Sequence, residues 1–225
     1  MRIAVFGGTF DPIHRGHMLI ARHVARQLKL DRILFVTAAR PPHKAAIQLT
    51  HPCDRHAMVA LALRNERRFV ASNLELLSPL EKNYSIDTLA RVRTQLRPSD
   101  ELFFILGADQ FAEFRTWRNS DRLLESVALV VVSRPGLAIE ELVARCDQRT
   151  QRAVKRLPGI AGKRTRLARR FSAVPPVIYL VPDLKIDISS TSIRDRISAG
   201  RRVRGVLDPA VADYIRKNRL YRKRT

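Results

Sequence analysis

Short apolar runs alternate along the chain with segments in which apolar residues recur every three or four positions. Ile3 to Phe6 is a run of strand length closed by Gly7 and Gly8. Met18, Leu19, Ala21, Val24, Ala25 and Leu28 then fall at helical spacing. Ile33 to Thr37 predicts a second strand, and Pro41-Pro42 predicts a loop after it, because proline lacks the amide donor and fixes φ. The same reading predicts a helix over His51 to Arg64, a strand over Phe69 to Leu77, a helix over Ser85 to Leu96, a strand over Glu101 to Leu106 and a helix over Trp117 to Glu125. Val127 to Val132 is an unbroken, largely β-branched run, as expected of a parallel strand buried on both faces. Val177 to Val181 predicts the last strand, followed by helices near Thr191 to Ala199 and Asp208 to Asn218. Strand–helix alternation of this kind predicts an α/β fold: a doubly wound, Rossmann-like parallel sheet with helices on both faces.

Residues 145–172 break that rhythm. They are basic, contain Pro158, Gly159 and Gly162, and have few large apolar side chains. They are expected to form an insertion or mobile arm between two core strands, with a weakly amphipathic helix through Val154, Leu157, Leu167 and Phe171 as the alternative. The 225 residues suit one domain over 1–225 with a C-terminal helical segment at about 189–225. A hydrophobic fraction of 45% with only 9 Gly and 12 Pro argues against a disordered chain. No stretch approaches the roughly 20 apolar residues of a membrane helix, and MRIAVFGG lacks a signal-peptide layout. Cys53 and Cys146 offer neither a disulfide framework nor metal-ligand spacing, so a reducing cytoplasm is the expected setting.

Charge adds one feature. Lys and Arg number 42 against 21 Asp and Glu, a formal +21, with clusters at Arg145 to Arg170 and Arg216 to Arg224. Such an excess attracts polyanions non-specifically at low salt. A solvated arginine-coated surface accounts for it as well. No helix-turn-helix, RNA-binding aromatic pair or zinc module accompanies it, so no specific nucleic-acid partner is expected.

The chemistry gathers at the first turn, Gly7-Gly8-Thr9-Phe10-Asp11-Pro12-Ile13-His14-Arg15-Gly16-His17. Ligands of open α/β sheets bind beyond the carboxyl ends of the strands. Glycines there let backbone amides approach a phosphate, and the helix start near Gly16 adds its positive dipole end. His14 and His17 flank that glycine and can face one pocket. By themselves, a glycine pair is also an ordinary turn, and two histidines three apart are also a surface or metal-ligand pair. No third metal ligand lies nearby, and neither the P-loop nor the dinucleotide-binding glycine spacing is met. Near the other end, Ile188-Ser189-Ser190-Thr191-Ser192-Ile193-Arg194 places hydroxyls at a helix start with an arginine one turn in, where anions are welcome.

Together these segments resemble the signatures of the HxGH nucleotidyltransferase superfamily: GGTFDPIHRGH, with His14-Arg15-Gly16-His17 as its namesake, and an ISSTxIR motif. Three more segments resemble the nicotinate-nucleotide adenylyltransferase family. They are Pro41-Pro42-His43-Lys44, Tyr84-Ser85-Ile86-Asp87-Thr88-Leu89 (the family usually has Thr at 85 and Ser at 83, here Asn83), and Gly107-Ala108-Asp109 followed by Phe111, Phe114, Trp117 and Arg118. The resemblance implies transfer of AMP from ATP to nicotinate mononucleotide, giving nicotinate adenine dinucleotide and pyrophosphate. It implies His14, His17 and Arg194 as catalytic residues. ATP would be bound by Gly7, Gly8, Thr9, Phe10, Gly16, His17, Gly107, Asp109, Ser189, Ser190, Thr191 and Arg194. The mononucleotide would be bound by His43, Lys44, Tyr84, Ser85, Asp87, Thr88, Phe111, Trp117, Arg118 and Arg134. No protein metal site is implied, only Mg2+ carried by the ATP phosphates. An indole face suits a cationic pyridinium, and a helix start at Ser85 suits the ring carboxylate. Other phosphate acceptors of the superfamily, and nicotinamide mononucleotide, are the rival substrates.

Overall fold

The computed structural model describes residues 1–41, 49–78, 82–133, 139–157, 171–181 and 187–222. Among the described residues, seven strands form one sheet: β1 (Arg2–Gly8), β2 (Arg32–Thr37), β3 (Phe69–Ser72), β4 (Glu101–Gly107), β5 (Ala128–Val132), β6 (Val154–Arg156) and β7 (Ile178–Val181), in the order β3-β2-β1-β4-β5-β7-β6. The pairings β1–β4, β4–β5, β5–β7 and β6–β7 are all parallel, with Phe6 opposite Ile105 and Leu106 opposite Val131. A central parallel strand is covered on both faces, and the sequence obliges: every residue of β5 and of β7 is buried, as are five consecutive residues of β4. The order reverses between β1 and β4, and beyond the carboxyl ends of strands at such a point open α/β sheets bind their ligands. Both strands end in glycine there, Gly8 and Gly107.

The connecting helices are α1 (Arg15–Gln27), α2 (Pro52–Leu63), α3 (Ser85–Arg93), α4 (Ala108–Ala112), α5 (Ser120–Ser126), α6 (Ile139–Ala144), α7 (Gln148–Ala153), α8 (Ser190–Ser198) and α9 (Pro209–Lys217). Two compact units share the chain: Met1–Gly7, Ile20–Ile33 and Tyr84–Ile186 form the first, and Gly8–Leu19, Leu34–Asn83 and Asp187–Thr225 the second. In the first, Arg2 is buried and ties distant segments together. Its Nε donates to the Leu28 carbonyl at 2.8 Å and its Nη2 to the Phe171 carbonyl at 2.7 Å, while Nη1 pairs with Glu101 and the guanidinium lies 5.0 Å from the Phe103 ring centroid. In the second, α2 packs on β3 and on α9, and the Tyr214 hydroxyl of α9 donates to Asp54 of α2 at 2.8 Å.

Most predicted elements form where their periodicity places them, and three differ. The strand expected over Phe69 to Leu77 stops at Ser72, because Asn73 and Glu75 carbonyls accept from the amides of Leu77 and Ser78 and turn the chain instead. The helix expected from Trp117 begins at Ser120. Trp117 closes a short 3-10 turn (Phe114–Thr116), and Asn119, at φ 54°, interrupts the backbone before α5. Residues 148–156, expected inside an irregular arm, form α7 and β6. Asp147 caps α7 by accepting from the Thr150 amide at 2.9 Å, and β6 adds to the sheet edge beside β7, with Leu157 buried just after it. The rest of that arm, 158–170, lies outside the described residues.

Candidate active site

The second unit holds the signature turn and the ISSTSIR helix. After Gly8 the backbone takes a left-handed step at Phe10, φ 49°, and the Phe10 ring folds back over the glycine. A Cβ on Gly8 would lie 2.8 Å from that ring, so glycine is required there by packing as well as by any phosphate approaching it. Phe10 is itself buried, edge-on to His17 at 5.1 Å and tilted against Phe35 at 5.7 Å. Its place is therefore beneath the turn, as support.

His14 and His17 come together as their spacing suggests. Their rings stack at 3.8 Å with 29° between planes, and the His14 amide donates to His17 Nδ1 at 3.2 Å. That bond leaves the ring proton of a neutral His17 on Nε2, making Nε2 a donor. Both residues bracket the start of α1, where Gly16 is buried and the exposed Arg15 donates its amide to the Val206 carbonyl at 2.9 Å. The start of a 13-residue helix, with the positive end of its dipole, thus lies beside two imidazoles.

Helix α8 meets this turn directly. Ser189 caps it, its hydroxyl accepting from the Ser192 amide at 3.1 Å. The Ser190 hydroxyl donates to the Pro12 carbonyl at 2.9 Å. Arg194 reaches back so that Nη1 donates to the Asp11 carbonyl at 2.9 Å and Nη2 to the Thr191 hydroxyl at 3.3 Å. Thr191 is exposed. The ISSTSIR segment therefore presents a helix start and a guanidinium to the His14–His17 turn through contacts between the two motifs themselves.

Three residues outside the predicted set, Arg55, Asp11 and Tyr221, organise this region. Arg55, on α2, is buried and donates to four carbonyls: Thr9 and Ala38 at 2.7 Å, Thr50 at 2.8 Å and Ala39 at 3.4 Å. Burial pushes its guanidinium below the ordinary arginine value, while the nearby Asp11 and Glu75 carboxylates oppose that shift. Asp11, also buried, accepts from the Thr50 amide at 3.3 Å and from the Tyr221 hydroxyl at 2.6 Å. Arg55 was legible as an anomaly, a charge three residues before Met58 on the apolar face of its helix. Tyr221 carried no such signal.

In the first unit, β4 runs into α4 through Gly107, whose amide donates to Gln110 Oε1 at 3.0 Å, and Asp109 is exposed in the first turn of that helix. Ser85 opens α3 with Tyr84 as its cap residue, and Asp87 lies in its first turn. Thr88 is buried and its hydroxyl donates to the Tyr84 carbonyl at 3.2 Å. The Arg118 guanidinium lies 4.9 Å from the Tyr84 ring centroid, joining two of the predicted residues. Phe111 is buried and stacked on Phe114 at 5.9 Å. Trp117 is half-buried, with Phe114 at 5.7 Å and Phe104 at 6.3 Å. His43, Lys44 and Arg134 lie outside the described residues. Among the described residues no cluster of three His, Cys, Asp or Glu could hold a metal ion, and no helix is long and apolar enough to cross a membrane.

A strand, a glycine turn and a helix start of this kind on a Rossmann-like sheet define a class, and the cytidylyltransferase-like family model matches residues 5–196. The chain is 42% identical over 223 residues to the "Probable nicotinate-nucleotide adenylyltransferase" of Thermus thermophilus, with 99% of this chain and 100% of that protein covered. It is 39% identical to the protein of the same description from Solibacter usitatus, covering 98% and 100%. Within the cytidylyltransferase-like proteins, the chain belongs to the nicotinate-nucleotide adenylyltransferase family. The fold is similar to the solved Plasmodium falciparum nicotinic acid mononucleotide adenylyltransferase complexed with NaAD, at a TM-score of 0.69 and 22% identity, covering 98% of this chain and 97% of that one.

Proposed function

We infer that this chain joins the adenylyl group of ATP to nicotinate mononucleotide, producing nicotinate adenine dinucleotide and pyrophosphate for NAD biosynthesis. The observation that carries the chemistry is the stacked His14–His17 pair at the start of α1, with Arg194 of α8 bonded into the same turn. The observation that supports the acceptor is full-length identity of 42% to a nicotinate-nucleotide adenylyltransferase relative.

An oxygen of the mononucleotide phosphate attacks the α-phosphorus of ATP in line. The new P–O bond forms as the bond from the α-phosphorus to the bridging oxygen breaks, and pyrophosphate departs with that electron pair. The acceptor phosphate is already an anion at neutral pH, so no enzyme nucleophile is needed. The protein contributes position and charge stabilisation. His17 donates from Nε2 to the α-phosphate as charge builds there, and His14 steadies it from the adjoining ring. The start of α8 (Ser189, Ser190, Thr191) and Arg194 hold the β- and γ-phosphates. Ser190 acts through its backbone, since its hydroxyl is engaged by Pro12. Gly7, Gly8, Thr9, Phe10, Gly16, Gly107 and Asp109 are assigned to the nucleotide, with the Phe10 ring packed against Gly8. Mg2+ enters as part of the ATP substrate, in keeping with its reluctance to give up water for an all-protein cage.

Tyr84, Ser85, Asp87, Thr88, Trp117 and Arg118, with His43, Lys44, Phe111 and Arg134, are assigned to the mononucleotide. The first amides of α3 suit the ring carboxylate, a charge the amide analogue lacks. The partners are small molecules, and the net charge of +21 gives salt-sensitive, non-specific attraction to polyanions. A cytoplasmic setting accords with two free cysteines.

Labelled ATP tests the reaction. With label on the α-phosphorus and nicotinate mononucleotide as acceptor, label is expected in the dinucleotide; with label on the γ-phosphorus, in pyrophosphate. Label from the γ-position in any form of the mononucleotide would replace adenylyl transfer with phosphoryl transfer.

A further inference from the structure

Asp11 connects the signature turn to a residue more than two hundred positions away. Its carboxylate accepts from the Tyr221 hydroxyl at 2.6 Å and from the Thr50 amide, while its carbonyl accepts from Arg194. Tyr221 follows α9 and sits at φ 62°, a left-handed conformation that a non-glycine residue keeps only when its surroundings hold it there. Its hydroxyl also lies 4.0 Å from Met58 Sδ of α2. Burial raises the tyrosine above its ordinary value and the Asp11 carboxylate raises it further, so the phenol remains a donor across the physiological range. A hydrogen bond to an ionised carboxylate is among the stronger kinds.

We propose that Tyr221 is a positioning residue for the ATP site: through its bond to Asp11 it fixes the turn that carries His14 and His17 and the carbonyl that aims Arg194. The side chain touches no reacting atom. The proposal rests on the reading of that turn as the triphosphate site. It predicts that losing the hydrogen-bonding hydroxyl of Tyr221, far along the chain, weakens ATP selectively and acts chiefly through Asp11.

The test uses the full chain, with wild type, Tyr221→Phe, Tyr221→Leu, Asp11→Asn and the Asp11→Asn/Tyr221→Phe double variant. A non-hydrolysable ATP analogue is titrated calorimetrically, and KM is measured for each substrate. Tyr221→Phe is expected to weaken the analogue and raise the KM for ATP about tenfold, the effect of one hydrogen bond to a charged group. The KM for the mononucleotide should stay close to wild type, and the melting temperature should fall only by the few degrees that one lost hydrogen bond costs. Tyr221→Leu, which removes the ring as well as the hydroxyl, should lower the melting temperature more without weakening ATP further. In the Asp11→Asn background, Tyr221→Phe should add little. Unchanged ATP binding in Tyr221→Phe, or the same loss with Asn at position 11, would overturn the proposal. Should Asp11→Asn not fold, the contrast between the Phe and Leu variants decides alone: a loss of ATP affinity that tracks melting temperature contradicts the positioning role. Wild-type protein that fails to bind the analogue would instead refute the reading of the turn.

Discussion

Replacing His17 with alanine is expected to lower kcat about a hundredfold, the order found when one preorganised donor is removed from a developing oxyanion. The reason lies in the tautomer that the turn selects. His17 Nδ1 accepts from the His14 amide, which assigns the proton of the neutral ring to Nε2. The ring is further held by stacking on His14 and by the edge contact to Phe10, so it is oriented before substrate arrives. Preorganisation of this kind lowers the barrier more than it tightens the ground state. The KM for either substrate should therefore move less than kcat. His17 is half-exposed, so the variant is expected to fold and melt near wild type. Steady-state kinetics together with a melting curve check this. A folded His17→Ala enzyme with unchanged kcat would remove His17 from the chemistry.

Arg55→Met is expected to produce the largest loss of stability, about 3 kcal/mol, as when a buried charged donor is removed and its acceptors are left without partners. Methionine fills much of the stem volume, so the effect isolates the guanidinium. One planar fork donates to carbonyls at residues 9, 38, 39 and 50, which belong to the signature turn, the segment after β2 and the approach to α2. Lysine cannot reproduce this, because an ammonium is a point donor with no fixed fork. For a chain of this size about 3 kcal/mol corresponds to a melting temperature roughly 10 °C lower. Thermal and urea denaturation measure the change. A loss under about 0.5 kcal/mol, the usual range for surface substitutions, would show that these carbonyls find other partners.

Much of the fold was legible because its strands advertise themselves. A parallel strand covered on both faces must be apolar throughout, so Val127 to Val132 and Val177 to Val181 could hardly be anything else. Edge elements carry a weaker signal. β6 is three residues long and two of them are charged and exposed, which made Val154–Arg156 read as part of a basic arm. The early end of β3 is decided by turn hydrogen bonds at Asn73 and Glu75, and Asn119 interrupts the chain before α5 through its backbone conformation. Neither leaves a mark in hydrophobic period.

The candidate site divides in the same way. His14 and His17 stand three apart around a helix start, so their stacking follows from local geometry. The bond from Arg194 to the Asp11 carbonyl and the bond from Tyr221 to the Asp11 carboxylate span 183 and 210 residues, and no local pattern encodes such contacts. Within one eleven-residue segment the contacts differ: the His14 and His17 rings stack on each other while the buried Phe10 ring packs against Gly8.

Adenylyl transfer to nicotinate mononucleotide is tested by pyrophosphate release measured with ATP and Mg2+, offering nicotinate mononucleotide and nicotinamide mononucleotide side by side. Strong turnover is expected with the acid and little with the amide, because a helix start such as that of α3 favours an anionic ring substituent. Equal turnover with both would preserve adenylyl transfer and contradict the assignment of Ser85 and its helix start to the carboxylate. Absence of turnover with either, from folded protein that binds ATP, would contradict adenylyl transfer to a pyridine mononucleotide.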